Sequence, residues 1–396
     1  MASILKESQL NSKGVIVFTH KERVLFENKY LMRILKREVL QLKSMYFFAM
    51  HWGHYHKNIE TIDLIDFHFA GQGTVAFKKP EENYHIPLCS RNFSSSVFRK
   101  KNLSKVYDII NISRPLRLKK IDEFFLVIKK MINKGFLPKV LIICPLPDNF
   151  YQDENNYVEI YSDYIKLFSI KERESISLLL LSPDGSPFQL SENEISDFMN
   201  LSKVFTLFSD KEGESRVVSE ALLCGLTVVV KRNIIGGAKD YLNDDNSRLF
   251  STLDEAADIF IDLISNYNKF QFSTINLEQE LSEEYTKDIL KNKLKVFFSE
   301  KNEEFEGEFL LENLSKKLPS HLNLLSKSIA NGIHDDIVTF QGFYRFLIKF
   351  TNSPKKNLLY IMVFILELMY KIMFIFRSRV KKVLIFFGFY NLKKSN

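Results

Sequence analysis

Apolar runs that alternate with amphipathic segments dominate the middle of the chain. Short apolar runs, each typical of a buried strand, lie at 106–112, 139–144, 177–182, 204–208 and 226–230. Apolar residues at helical spacing predict a helix after the first run, and shorter helices are expected near 191–201 and at 215–223. Strands that are apolar throughout and alternate with helices are typical of a parallel sheet covered on both faces. The pattern therefore predicts a doubly wound parallel α/β unit.

The segments on either side of this unit differ from it. Residues 14–18 and 45–50 are expected to be strands with one helix, 22–43, between them, and the chain up to 92 indicates a small α/β domain. Residues 252–300 have a helical pattern. We therefore predict three parts: a small N-terminal domain over 1–92, a Rossmann-like domain over 93–300, and a helical C-terminal region over 301–396.

The C-terminal region contains an apolar tail over 355–390. Residues 358–376 are nearly all apolar, which approaches the length of a membrane span, and Glu367 and Lys371 are spaced to pair on one helical face. Four cations follow at once: Arg377, Arg379, Lys381 and Lys382. We favour an interfacial helix with these cations on anionic headgroups. A helix packed against the protein's own domains and a true membrane span are the alternatives.

Composition and charge indicate the class of protein, its partner and its compartment. The chain has 396 residues and 45% hydrophobic residues, which is enough for two domains and excludes a disordered protein. The net charge of +7 is concentrated near the C-terminus, which favours a membrane surface over nucleic acid as the partner. Three scattered cysteines indicate a reducing compartment, and the polar N-terminus has no secretory pattern. We expect a cytoplasmic protein at the inner face of the membrane.

The candidate chemistry lies in residues 204–230. Glu212 and Glu220 are separated by seven residues, Gly213 follows the first of them, and Gly225 is expected to close the helix. The loop at the carboxyl end of strand 204–208 leads into the helix amino terminus, so amides from about Glu214 to Val217 are expected to face an anion.

Basic groups for the same edge follow the first strand of this unit. Arg114 offers a planar fork to phosphate oxygens and Lys119 a compact charge, with Lys120 as an alternative to Lys119. Glu220 is suited to accept hydrogen bonds from ribose hydroxyls, and Glu212 to meet the sugar that a diphosphate carries. This arrangement requires no metal or cofactor.

The histidine cluster HWGHYH over 51–56 is a separate candidate. His51, His54 and His56 follow a strand, but no fourth ligand has suitable spacing for a metal site. Surface or packing histidines are the simplest interpretation. Contact with a sugar or acceptor is the alternative, with His54 as the preferred residue.

Taken together, these motifs resemble glycosyltransferase family 4, whose members are the group 1 glycosyl transferases of the GT-B superfamily. EGESRVVSEALLCGLTVVV is similar to the family's pattern of two Glu separated by seven residues, SRPLRLKK to its Arg–Lys turn, and GGAKDYLNDDNSRLF over 236–250 to its Gly-Gly segment. The sequence departs from the family where Ser113 replaces a Gly and where Glu214 and Ser215 replace an aromatic–Gly pair. The segment before 106 is also short for an acceptor domain, and no Gly-rich loop follows its first strand.

The resemblance implies a GT-B-like fold of two Rossmann-like, doubly wound domains, with a reduced N-terminal domain and a helical, apolar C-terminal tail. It implies a retaining, metal-independent hexosyl transfer from a nucleotide-sugar to a glycan or lipid-linked acceptor. Carried onto this chain, it makes Glu212 catalytic. The substrate-binding residues would be Arg114, Lys119, Gly213, Glu214, Ser215 and Glu220. The alternatives are a non-catalytic subunit recruited to the membrane by its tail, and a nucleotide-sugar epimerase.

Overall fold

Two six-stranded sheets organise the protein in its computed structural model. The structure describes residues 2–19, 22–52, 56–59, 62–71, 75–77, 84–145, 157–181, 190–312, 314–318, 333–334 and 339–386. Each sheet carries helices on both faces, so that each is the centre of one α/β domain.

The first domain begins at the N-terminus. Its strands up to residue 86 are β1 (Ala2–Lys6), β2 (Gly14–Thr19), β3 (Tyr46–Trp52), β4 (His56–Ile59), β5 (Phe67–Ala70), β6 (Val75–Phe77) and β7 (Tyr84–Ile86). Its first helices are α1 (Arg23–Glu27), α2 (Lys29–Ile34) and α3 (Lys36–Met45). β2, β3, β5 and β7 are parallel neighbours in that order, and β4 pairs with β6 separately. β1 runs antiparallel to β2, and the sixth strand, β16 (Ile333–His334), runs antiparallel to β1 at the edge.

The prediction of a single helix over 22–43 is wrong, because the chain forms three short helices there. Asn28 has extended backbone angles, and its side chain accepts a hydrogen bond from the Leu31 amide, which starts a new helix. Leu35 interrupts the helical geometry again before α3. The strand β1 was not anticipated, although all five of its residues are buried.

The second domain contains the remaining parallel sheet. Its strands are β8 (Tyr107–Ile112), β9 (Val140–Pro145), β10 (Ile176–Leu181), β11 (Ser202–Leu207), β12 (Lys211–Glu212), β13 (Thr227–Lys231), β14 (Ile235–Gly236) and β15 (Ser247–Phe250). Its helices are α4 (Ile121–Asn133), α5 (Tyr157–Leu167), α6 (Ile170–Arg173), α7 (Glu192–Asn200), α8 (Arg216–Leu223) and α9 (Leu253–Ser265). The sheet order is β10-β9-β8-β11-β13-β15, and every pairing is parallel.

The predicted doubly wound unit is therefore confirmed, and its sequence explains why it forms. β13 is TVVVK, four β-branched residues followed by Lys231, and all five are buried, as expected for a strand covered on both faces. One apolar core lies between the sheet and α4, α5 and α9, and another lies on the opposite face with α7 and α8. Gly225 has φ +76 directly after α8, which confirms its predicted role in ending that helix.

The chain passes between the domains twice. The remaining elements are α10 (Ile275–Leu281), α11 (Glu283–Glu300), α12 (Leu314–Lys317), β16 (Ile333–His334), α13 (Phe340–Phe350) and α14 (Lys356–Phe386). At the two crossings, the Ser94 amide donates to the Leu281 carbonyl and the Glu283 amide donates to the Ser94 carbonyl. The segments after Ser282 pack on the first sheet, α11 on one face and α13 on the other. A first α/β domain, a second, doubly wound domain and a helical, apolar C-terminal segment give the two-domain arrangement that the sequence predicts. The strands of the first sheet from β1 to β7 follow one another in one direction, so the order of its parallel strands does not reverse.

The last helix is only partly covered by the rest of the protein. Val363 and Glu367 of α14 are buried against the first domain, and the Glu367 carboxylate accepts a hydrogen bond from the Gln341 amide at the start of α13 (3.0 Å). Lys371 pairs with Glu367 at 2.7 Å, which confirms that the two charges lie on one face. The apolar side chains from Leu368 to Phe376 are exposed. Among the described residues, one helix is long and apolar enough to cross a bilayer by length and composition, and it spans Lys356–Arg377.

Candidate functional site

The order of the second sheet identifies where a ligand would bind. Counted along the chain, its strands lie in the order 3-2-1-4-5-6, because β8 has β9 on one side and β11 on the other. In open parallel sheets, ligands occupy the crevice outside the carboxyl ends of the two strands where the order reverses. That crevice lies at the ends of β8 and β11. The turn 113–120 follows β8 and the loop 208–215 follows β11, so both predicted groups of site residues flank it.

Lys119 and Glu212 meet at this edge. The Lys119 Nζ atom lies 2.5 Å from Glu212 Oε1, and the two side chains are only 16% and 11% exposed. A short 3-10 turn, Arg117–Lys119, presents the lysine, and Lys120 then takes a left-handed conformation (φ 53) before α4 begins. The two residues predicted to act at the diphosphate and at the sugar are therefore neighbours.

The other basic residues of the turn have different neighbours. Arg114 is exposed on the same rim of the sheet. Lys120 lies 3.7 Å from Glu123 and 3.9 Å from Asp210. Arg117 forms an exposed ion pair with Glu159. Lys119 is thus the lysine of this turn that contacts the predicted catalytic carboxylate.

Main-chain hydrogen bonds hold the loop 208–215 against the Gly-Gly segment. β12 and β14 pair through Lys211 with Ile235 and Glu212 with Gly236. The Gly237 amide also donates to the Gly213 carbonyl at 3.0 Å. Gly236 has φ +104, a conformation that favours glycine, so this position requires one. The Gly-Gly segment therefore supports the loop that carries Glu212.

Glu220 is a buried carboxylate one turn into α8. Its residue is 8% exposed, and the Arg216 Nη2 atom lies 3.4 Å from its Oε1 atom. Burial raises the pKa of Glu220, while the Arg216 charge opposes that shift. A buried carboxylate with a single long ion pair can accept further hydrogen bonds, as a pair of ribose hydroxyls would supply.

Three buried polar side-chain atoms lie in the loop 208–215 and at the start of α8. In the described part of the chain, Ser209 Oγ, Ser215 Oγ and Arg216 Nε are buried and have no hydrogen-bond partner. Buried polar groups ordinarily have one, because leaving them unpaired costs free energy. These atoms are suited to bind a polar ligand. Of the amides expected to face an anion, that of Arg216 instead donates to the Glu214 carbonyl (3.0 Å).

Glu214 faces the first domain. Its Oε1 atom lies 2.9 Å from His51 Nε2, and its Oε2 atom accepts a hydrogen bond from Ser90 Oγ at 2.6 Å. His51 is at the carboxyl end of β3, and Ser90 begins the 3-10 turn Ser90–Phe93 just before the first crossing. Both side chains of the His51–Glu214 pair are buried. The cleft between the domains is therefore closed at this point by a polar contact.

Arg91 forms a second contact across the same boundary. Its guanidinium donates to the Gly237 carbonyl and to the Asp240 carboxylate, and it lies over the Tyr241 ring. The next residue, Asn92, donates to the Tyr241 hydroxyl at 2.6 Å. One turn of the first domain thus holds the Gly-Gly segment of the second.

Sequence reasoning did not find these contacts. His51 was named in the histidine cluster but not paired with Glu214, and Ser90 and Arg91 were not singled out. His54, the preferred histidine, lies outside the described residues. Within the parts of the chain that the structure describes, no group of three His, Cys, Asp or Glu residues is arranged to hold a metal ion.

Known proteins were compared with this chain by sequence and by structure. No protein-family model matches the sequence, and no curated protein matches it. Among solved structures, the chain is similar to S. aureus TarM, with a TM-score of 0.49 and 15% identity over 72% of this chain and 54% of TarM. It is also similar to the pneumococcal O-GlcNAc transferase GtfA, solved with UDP and GlcNAc, with a TM-score of 0.47 and 14% identity over 70% of this chain and 54% of GtfA. For Anabaena HepE, solved with UDP-glucose, the TM-score is 0.45 and the identity is 13% over 68% of this chain and 77% of HepE.

The chain spans 54% of the length of TarM and of GtfA. The positions of Arg114, Lys119, Gly213, Glu214, Ser215 and Glu220 as ligand-binding residues, and of Glu212 as the catalytic one, remain predictions. What the geometry adds is that the Lys119 ammonium and the Glu212 carboxylate are in contact at the carboxyl edge of the second sheet, whereas the Glu214 side chain points into the first domain.

Proposed function

We propose that the protein is a retaining, metal-independent glycosyltransferase that moves a sugar from a nucleotide-sugar to a glycan or lipid-linked acceptor. The observation that carries the proposal is the Lys119–Glu212 contact at the point where the strand order of the second sheet reverses. A cation for the leaving diphosphate and a carboxylate for the sugar are the two devices that such a transfer needs, and here they are adjacent.

The diphosphate would bind between the turn after β8 and the loop after β11. Arg114 and Lys119 supply positive charge, and the amides of Gly213, Glu214 and Ser215 supply donors near the start of α8. An ammonium has three donor hydrogens, so Lys119 can keep its contact with Glu212 while it binds a phosphate oxygen. Charge that develops on the leaving diphosphate would then meet groups that are already oriented.

The sugar and the ribose would be held by the two glutamates. Glu212 lies at the end of β12 and, fixed by Lys119, faces the side of the diphosphate where the sugar is attached. Glu220 is one turn into α8, and its buried carboxylate would accept hydrogen bonds from the ribose hydroxyls. Both carboxylates act without a cofactor, and the nucleotide-sugar is a substrate.

The C-terminal helix would hold the enzyme at the cytoplasmic face of an anionic membrane. The apolar side chains of α14 from Leu368 to Phe376 are exposed around the helix, and Arg377 and Arg379 follow them. An exposed apolar helix next to cations favours insertion at a bilayer interface with anionic headgroups. Such a location suits a lipid-linked saccharide acceptor.

The first test is binding of nucleoside diphosphates and nucleotide-sugars to the purified protein. A panel is screened by thermal shift, because a ligand that binds the folded state raises its apparent stability, and hits are measured by calorimetry. At least one nucleoside diphosphate is expected to bind, and Glu220→Ala is expected to weaken it. Release of nucleoside diphosphate with a membrane-extracted saccharide acceptor then tests transfer, and the anomeric configuration of the product tests retention. A folded protein that binds no member of the panel contradicts the proposal.

A further inference from the structure

Glu214 occupies an unusual place for a buried carboxylate. It follows Glu212 and Gly213 directly, in the loop 208–215, yet its side chain leaves the crevice of the second sheet and enters the first domain. Its two oxygen atoms accept from different partners, His51 Nε2 (2.9 Å) and Ser90 Oγ (2.6 Å). The loop that carries Glu212 is therefore held by side chains of the other domain.

The two partners have rigid positions. His51 lies opposite Thr19 of β2 and Phe69 of β5, so it is fixed at the carboxyl edge of the first sheet. Ser90 starts the turn Ser90–Phe93, which the chain follows into the first crossing at Ser94. A charged acceptor that is shielded from water makes strong hydrogen bonds, and here both bonds cross the domain boundary.

The charge state of Glu214 fits this role. Burial raises the pKa of Glu214, but the charge and hydrogen bond of His51, the hydrogen bond of Ser90 and the charge of Arg91 outweigh it, and the net shift is downward. The carboxylate is thus ionised while the contact is closed. If the domains separated, Glu214 would lose these partners together.

The same loop is supported from a second side. Arg91 donates to the Gly237 carbonyl, and the Gly237 amide donates to the Gly213 carbonyl at 3.0 Å. Ser90 and Arg91 are adjacent, so one turn of the first domain reaches the loop directly through Glu214 and indirectly through the Gly-Gly segment. A rotation of one domain against the other would disturb both routes.

We propose that Glu214 is a positioning residue that ties the loop 208–215 to the first domain, so that the contact across the cleft sets the geometry of Glu212. This inference rests on the proposed function. It adds that the loop 208–215 takes its active geometry only when the two domains are in contact. The Glu214 side chain acts through Glu212 and Lys119, and does not itself touch the reacting atoms.

The test compares Glu214→Ala and Glu214→Gln with a matched control. Asp254→Asn makes the same kind of change, from a carboxylate to an amide, in an exposed ion pair with Lys130 between α9 and α4. Glu214→Ala is expected to lower kcat at least tenfold at a temperature well below its melting point. Glu214→Gln is expected to recover part of this loss, because its amide oxygen still accepts one hydrogen bond. The control is expected to retain wild-type kcat and KM.

A readout that needs no substrate separates this inference from the proposed function. Amide hydrogen exchange over 209–216 in the ligand-free protein is expected to be at least tenfold faster in Glu214→Ala and unchanged in Asp254→Asn. A double-mutant cycle of His51→Ala with Glu214→Gln on kcat/KM is expected to be non-additive. If the wild type binds no nucleotide, the proposed function fails. If the wild type is active and Glu214→Ala matches it in kcat and in exchange, the positioning role is refuted.

Discussion

Replacement of Lys119 by Met tests whether this lysine binds the diphosphate or only neutralises Glu212. The Lys119 side chain is 16% exposed, and its Nζ atom lies 2.5 Å from the Glu212 carboxylate. A hydrogen bond to a charged group contributes about 1.5–3 kcal/mol. If Lys119 also binds one phosphate oxygen, Lys119→Met should weaken nucleoside diphosphate binding roughly 10- to 150-fold, since 1.4 kcal/mol corresponds to a tenfold change.

The same substitution has an effect on stability that must be separated from binding. It leaves Glu212, which is 11% exposed, without its cation, and an unpaired buried group costs about 1–3 kcal/mol. The double variant Lys119→Met, Glu212→Gln removes both charges and should recover most of the lost melting temperature. The dissociation constant is measured by calorimetry for both variants, well below their melting temperatures.

The double variant decides between the two roles. If Lys119 binds phosphate, the double variant still binds nucleoside diphosphate more weakly than the wild type, even though its stability has been recovered. Lys120→Met is the control, because Lys120 is farther from its carboxylate neighbours, at 3.7 and 3.9 Å. Wild-type affinity in the double variant, or a larger loss in Lys120→Met than in Lys119→Met, would refute the assignment of Lys119.

Three further predictions concern other parts of the protein. Glu220→Gln should raise the melting temperature at pH 8, because burial raises the pKa of Glu220 in the folded state and stability is therefore lost as pH rises through that pKa. The substitution should also weaken nucleotide binding and remove the loss of affinity that is expected of the wild type at low pH; an unchanged melting temperature and affinity would contradict this prediction. Arg114→Ala should weaken nucleoside diphosphate binding about fivefold at low salt and less at 0.5 M salt, because Arg114 is exposed and screened, whereas equal losses at both salt concentrations would contradict a screened contact. Replacing the exposed residues Ile372, Phe374 and Phe376 together by serine should lower sedimentation with anionic vesicles more than tenfold, because each side chain of this size contributes about 1.5–3 kcal/mol when it is buried. The melting temperature should stay constant, and unchanged sedimentation would refute the membrane contact.

Local patterns predicted the second domain well because its strands and helices are recognisable within short windows. β8, α4, β11 and α8 each have an apolar run or an apolar helical face, and the parallel order then brings the turn after β8 and the loop after β11 to one edge. The neighbourhood of Lys119 and Glu212, 93 residues apart, follows from that order. Topology alone was enough to predict that Lys119 and Glu212 lie at the same edge of the sheet.

The contacts between the domains could not be predicted in the same way. His51 and Glu214 are 163 residues apart, and Arg91 and Asp240 are 149 apart. Each lies in a different sheet or turn, so no periodicity or spacing in the sequence relates them. Their pairing depends on how two complete domains meet, which is a property of tertiary packing. The sequence showed only that Glu214 and Ser215 depart from the aromatic–Gly pair of the family that the chain resembles.

The two charges inside the apolar tail illustrate how tertiary packing changes the interpretation of a sequence pattern. Glu367 is buried against the first domain and accepts from the Gln341 amide at the start of α13, where the helix dipole favours a negative charge. The acid therefore belongs to the protein's own interior, and the first domain covers the face of α14 that carries Val363 and Glu367. The apolar side chains on the other faces of the same stretch, Leu358, Ile361, Met362, Phe364 and Ile365, are exposed. Lys356–Arg377, 22 residues, is about 33 Å long at ~1.5 Å per residue, so its length alone would allow it to cross the ~30 Å hydrocarbon core. The proposed interfacial position therefore depends on the covered face, because a helix that packs along the first domain is held beside that domain.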